Sequence, residues 1–157
     1  MNRRLAGIVT AALVAATGGS AALVAGAAGS ASGSKARQLT IARQFVGYWM
    51  GIDPLDGGDS RRGITKGRGG RFALIGRDTV FTLCDGTDRA IVTDTDLTAA
   101  GSALVSDDFV IACTNTNSTI RLKVRYDVIG RNVIRETLVT QTGEPVDRII
   151  FHRVSAR

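Results

Sequence analysis

Few residues in this 157-residue chain have types and spacing suited to chemistry. Asp53, Asp56 and Asp59 recur at three-residue spacing around Gly57-Gly58, and carboxylate oxygens on such a turn can hold a hard cation such as calcium. An EF-hand loop instead places its ligands at alternate positions and ends on a glutamate. A set of Asx turns, with Asp59 neutralised by Arg61 or Arg62, accounts for the same residues. Glu136 lies between Ile134 and Leu138 on one face of an alternating segment, while Arg135 shares the other face with Val133 and Val139. A buried charge must be paired or used. Glu136 therefore pairs with Arg125 or Arg148, or it anchors the polar head of a ligand. His152 is the single histidine. With Phe151 and Arg153 inward, it falls on the outer face beside Ile150 and Val154. It has no neighbouring nucleophile or carboxylate for acid–base work and no second metal ligand. No catalytic residue and no cofactor site is assigned, and the only metal reading is the acidic triplet.

The most cationic segment runs from Arg61 to Arg71 and is rich in glycine. No aromatic interrupts its cations before Phe72, so base stacking has no platform and nucleic acid is not an expected partner. A solvated hairpin describes the segment better than a site for an anionic polymer. The formal charge of +6 is spread along the chain and serves solubility. Cys84 and Cys113 are the two cysteines. An even count on strand-like segments of an exported chain implies one disulfide.

Export is expected from the first residues. Arg3 and Arg4 precede an uncharged, small-residue stretch from Leu5 to Gly29, the layout of a secretory signal peptide. Ala25-Gly26-Ala27 and Gly29-Ser30-Ala31 both suit cleavage, which places the mature start between Ala28 and Ser32. The stretch is long enough for an uncleaved anchor, but Ala and Gly dominate it and Gly18-Gly19 interrupts it. The division is then a signal peptide over 1–31, a flexible segment over 32–43 and a folded domain over 44–157. Within the second, Ser34–Arg43 is the one candidate for a short helix.

From Phe45 onward the apolar pattern has period two. Ile120, Leu122, Val124, Tyr126 and Val128 share one face while Arg121, Lys123, Arg125 and Asp127 share the other, the signature of a half-buried antiparallel strand. Similar segments cover Phe45–Ile52, Arg71–Ile75, Thr79–Cys84, Arg89–Thr93, Ala103–Val105, Phe109–Thr114, Val133–Thr140 and Val146–Val154. Turn residues separate most of them, among them Gly76-Arg77-Asp78, Asp85-Gly86, Asp107-Asp108 and Gly130-Arg131-Asn132. The expected fold is all-β, a small antiparallel up-and-down β-barrel of about eight strands. Closure removes the edges a short open sheet would expose.

Gly47-Tyr48-Trp49 opens the first strand, and Arg153 sits on the last. In a closed barrel the indole can plug one end with the guanidinium across its face. This pairing resembles the signature of the calycins, the superfamily of lipocalins, fatty-acid-binding proteins and avidins. The resemblance implies an up-and-down barrel with a pocket opposite the tryptophan, and a structural role for Gly47, Trp49 and Arg153. It implies no particular activity. With one Trp, two Tyr and five Phe, an avidin-like aromatic cage is not available.

The resulting expectation is a secreted or cell-envelope binding protein, monomeric and non-enzymatic, holding a small apolar or amphipathic ligand. The alternative is a protease inhibitor or protein-interaction module with a secreted protein partner. Bacterial metalloprotease inhibitors are also small exported barrels with a Gly-x-Trp and one disulfide, and Lys35–Arg43 would be the inserting segment. An enzyme of the rare calycin kind is the third. Asp53–Arg71, read as one long charged connection after the first strand, would border the mouth and meet the partner.

Overall fold

Buried and exposed side chains alternate along eight strands, and the strands close on themselves. The computed structural model describes residues 40–85 and 89–155, with Gly33 and Ala36. The expected leader over 1–31, most of 32–39 and the Gly86 half of the Asp85-Gly86 turn lie outside the described residues. The strands are β1 (Gly47–Ile52), β2 (Asp59–Lys66), β3 (Phe72–Asp78), β4 (Ala90–Ala100), β5 (Ala103–Cys113), β6 (Thr119–Gly130), β7 (Val133–Val139) and β8 (Pro145–Ser155). Each pairs antiparallel with the next, and β8 returns to β1 with Gly51 opposite Phe151. This is the all-β closed barrel that the period-two pattern predicts. Residues 40–45 are helical and lead into β1.

Four sequence expectations need correction. β2 occupies most of what reads as a loop, so only residues 53–58 connect the first two strands. Two glycines of the cationic run act at its end, where Gly69 and Gly70 take positive φ in the β2–β3 turn. Gly76-Arg77-Asp78 is the end of β3 rather than a turn. A Cβ on Gly76 would lie 2.6 Å from the Arg61 carbonyl oxygen and 2.9 Å from Arg62 Cδ, so this glycine makes room for a neighbouring side chain. Asp107-Asp108 does not separate two strands. Both aspartates are exposed on β5, where the register against β6 shifts between Ser106 and Phe109 and absorbs the extra residue as a bulge. Thr79–Cys84 is not a strand. Its second half is a 3-10 turn over Thr82–Cys84, ended by Asp85 at φ 63°.

β4 is also longer than its apolar pattern suggests. Val92 and Thr95 are both buried although three residues apart, because a register shift against β3 slips the alternation. The core is one cluster inside the barrel, from Ile41, Phe45 and Trp49 at one end to Phe81, Cys84 and Cys113 at the other. Burying apolar surface at about 25 cal/mol per Å² drives this closure.

Candidate binding sites inside and outside the barrel

Arg62 organises the interior. On β2 the inward positions are Ser60, Arg62 and Ile64, all essentially without solvent contact. The Arg62 guanidinium has five N–H donors, and five acceptors meet them. Nε donates to Glu136 Oε2 at 2.8 Å and Nη2 to Glu136 Oε1 at 3.0 Å. Nη1 donates to Asp78 Oδ1 at 2.7 Å and to the Arg61 carbonyl at 3.0 Å, and Nη2 reaches Asp78 Oδ2 at 3.3 Å. Phe151 and Phe109 contribute ring contacts at 5.2 and 5.9 Å from the guanidinium carbon. Burial disfavours the charge, but Glu136 and Asp78 outweigh it and hold the guanidinium well above its ordinary pKa. The Tyr126 hydroxyl donates to Glu136 Oε2, and burial, with the Glu136 charge, pushes the phenol pKa up.

Glu136 is therefore paired, though not with Arg125 or Arg148. Arg125 instead lies outside and binds Asp127. A ligand headgroup approaching Glu136 would have to displace Arg62 or Tyr126 from a fully enclosed carboxylate. The signal that could have found Arg62 was present. An inward carboxylate on β7 demands an inward cation, and alternation back from Ile64 places Arg62 on the same face.

The mouth carries a less balanced group. Asp53 and Asp147 are both buried, at 1% and 9% exposure. Asp53 Oδ1 accepts the Leu55 N–H at 2.7 Å, and Asp147 Oδ1 accepts the Arg148 N–H at 2.6 Å. Among the described residues Asp147 Oδ2 accepts no hydrogen bond. Burial raises the Asp147 pKa to about 7, against the opposing Arg148 N–H and with help from the Asp53 and Glu136 charges. A surface cleft of about 290 Å³ lies alongside, between Pro54, Leu55, Val146 and Arg148.

The acidic triplet does not converge. Asp53 turns inward, Asp56 caps the Gly58 N–H and accepts from the Thr82 hydroxyl, and Asp59 is exposed on β2. Among the described residues no group of carboxylates, histidines or cysteines is arranged to hold a metal. The Asx-turn description fits Asp53 and Asp56, both of which accept a backbone N–H two residues on.

Phe81 is buried in the core cluster, on the connection that follows β3 at this same end. The Cys84–Cys113 disulfide ties that connection to the end of β5, with the two Cα atoms 5.5 Å apart. At the opposite end Trp49 is 1% exposed and donates from Nε1 to the Phe45 carbonyl at 2.8 Å. The Arg153 guanidinium stacks 4.3 Å from the indole centroid. Its Nη atoms donate to the Arg43, Gln44 and Val46 carbonyls, so one side chain both covers the plug and caps the entering helical turn. Gly47, at φ 146°, begins the strand in a conformation that favours glycine. His152 is exposed on the outer face.

The outer face of β1–β4 has a feature the sequence reading did not identify. Tyr48, Ile75 and Ile91 are 49%, 54% and 48% exposed around a groove of about 600 Å³. Gly63 forms its floor. Tyr48 and Gly63 are register partners, as are Gly63 and Ile75, so the missing side chain leaves a notch between an aromatic and an aliphatic wall. In the next row Arg61 stands directly opposite Arg77, and Arg77 opposite Ile91. Neither arginine forms an ion pair among the described residues, although Asp94 lines the same groove.

No family model, curated protein sequence or solved structure matches this chain. The closed eight-stranded antiparallel barrel is compatible with a calycin-like fold.

Proposed function

We propose that this chain is an exported, non-enzymatic binding protein that recognises a protein partner with the outside of a calycin-like barrel. The observation that carries this reading is the set of large side chains buried inside the barrel. Arg62, Tyr126, Phe72, Phe109, Phe151 and Trp49 are among the largest side chains in the protein and are all fully buried within it. A lipocalin-type ligand site needs a concave, mostly apolar cavity, and here aromatic rings and a matched guanidinium occupy that space. Export is supported by the Arg3-Arg4 leader pattern and by the disulfide, which persists in oxidising compartments. Among the described residues no helix is long and apolar enough to cross a membrane. The non-catalytic reading is supported by the enclosure of Glu136 and by the position of His152 on the outer face.

A second reading, an amphipathic small molecule at the mouth, is favoured by the cleft between Pro54 and Val146, which sets apolar walls beside Asp147 and Arg148. Native mass spectrometry of the purified secreted protein separates the two. The expected result is the mass of the oxidised polypeptide alone. A co-purifying small molecule that is released on unfolding would overturn recognition by the outer face and support the mouth.

A further inference from the structure

We propose that the outer face of β1–β4 docks an acidic peptide segment of a protein partner, with an apolar side chain seated over Gly63 and a carboxylate bridging Arg61 and Arg77. This rests on the reading of the barrel as a binding module and names the chemistry of what it binds.

Three observations carry the assignment. The first is a repulsive pair. Like charges directly opposite on neighbouring strands destabilise a sheet, yet Arg61 and Arg77 are register partners and both exposed. Arg71, Arg121 and Arg135 each find a carboxylate, in Asp96, Asp108 and Asp127, whereas among the described residues Arg61 and Arg77, like several other exposed arginines, form no ion pair. An incoming carboxylate between two guanidiniums relieves the repulsion and gains charge-assisted hydrogen bonds from both. The second is the notch. A Cβ on Gly63 would stand 3.3 Å from both Ile75 Cγ1 and Tyr48 Cε1, tighter than ordinary van der Waals contact, so the two walls close on Gly63 and an incoming side chain rests across their exposed outer edges. The third is spacing. Gly63 and Arg61 are two residues apart on one strand face, and an extended peptide presents its alternate side chains at the same interval. A bound strand with an apolar residue followed two positions later by a carboxylate matches both features at once.

The chemistry favours a peptide over a lipid surface. Lipid recognition by charge uses clusters of about four to eight basic residues, and this groove offers two cations that form no ion pair among the described residues, with Asp94 on its rim. A shaped notch selects a single side chain, which a fluid bilayer does not require.

The test uses the ¹⁵N-labelled secreted protein and defined probes. An acetylated hexapeptide with leucine at its second position, glutamate at its fourth and serine elsewhere is titrated beside a counterpart with lysine in place of the glutamate and beside phosphatidylglycerol vesicles. The expected result is saturable shifts, for the glutamate peptide only, at Tyr48, Arg61, Gly63, Ile75, Arg77 and Ile91. The Arg61→Gln/Arg77→Gln double variant should weaken that binding at least about tenfold while its melting temperature stays level or rises. Gly63→Val should block binding without altering charge. Equal binding of both peptides, binding of neither, or vesicle binding that the double variant abolishes would each overturn the acidic-peptide assignment. None of those results bears on ligand co-purification, so the wider reading stands or falls separately.

Discussion

Arg61 and Arg62 are neighbours in the chain and opposites in the fold. Arg62 points into the barrel, where two carboxylates and a carbonyl meet all five of its donors. Arg61 points outward and faces another arginine. Strand alternation alone separates them, since one residue step turns a side chain from core to solvent. The lesson is that a run of cations on a strand is two populations. The inner one specifies the fold, and the outer one is free to serve binding. Around Arg62 every interior charge is answered, and Gly76 on β3 leaves room for the guanidinium that answers two carboxylates. On the surface an unanswered pair persists at small cost because water solvates it.

The largest consequence is for stability. Arg62→Ala leaves Glu136 and Asp78 buried without their cation, and loss of one partner from a buried pair costs about 3–5 kcal/mol. Arg61→Ala should stay within about 0.5 kcal/mol of the parent, as surface substitutions do. Urea unfolding of both variants measures the contrast, and equal losses would break it. Adding Glu136→Gln to Arg62→Ala should return part of the stability, because the second change removes one stranded charge.

A smaller effect separates matched from unmatched charge inside the barrel. Asp147 has a folded-state pKa raised from 3.8 to about 7, so the native state binds this proton more tightly than the unfolded chain does. The sign follows from linkage: stability is greatest below about pH 4 as far as this group is concerned and falls as pH rises towards 7. At about 1.4 kcal/mol per pKa unit the ceiling is roughly 4 kcal/mol. Asp147→Asn should flatten that part of the pH–stability curve. A curve that keeps its slope in the variant would assign the proton elsewhere.

The sequence made the apolar framework legible and hid the polar one. β6 reads directly, since Leu122, Val124 and Tyr126 alternate with charged neighbours and are buried as expected. β7 reads as well, with Ile134, Glu136 and Leu138 inward. β2 does not, because two of its inward residues are Ser60 and Arg62, and a hydrophobic pattern cannot register a strand whose core face is polar. Bulges hid the continuity of β4 and β5 by slipping the phase of alternation. The outer groove was illegible for a different reason. Its residues lie on four successive strands and meet only through register, which no local pattern reports.

The central claim is that the barrel is sealed around Arg62 while its neighbour faces water, and the exchange of guanidinium protons tests it most directly. In the ¹⁵N-labelled protein at mildly alkaline pH, the Arg62 Nε–H signal should persist, held by Glu136 Oε2 at 2.8 Å in a site without solvent contact. The Arg61 Nε–H should be lost to rapid exchange with water under the same conditions. If the Arg62 signal disappears as readily as that of Arg61, the interior is open to solvent and the filled-barrel account is wrong.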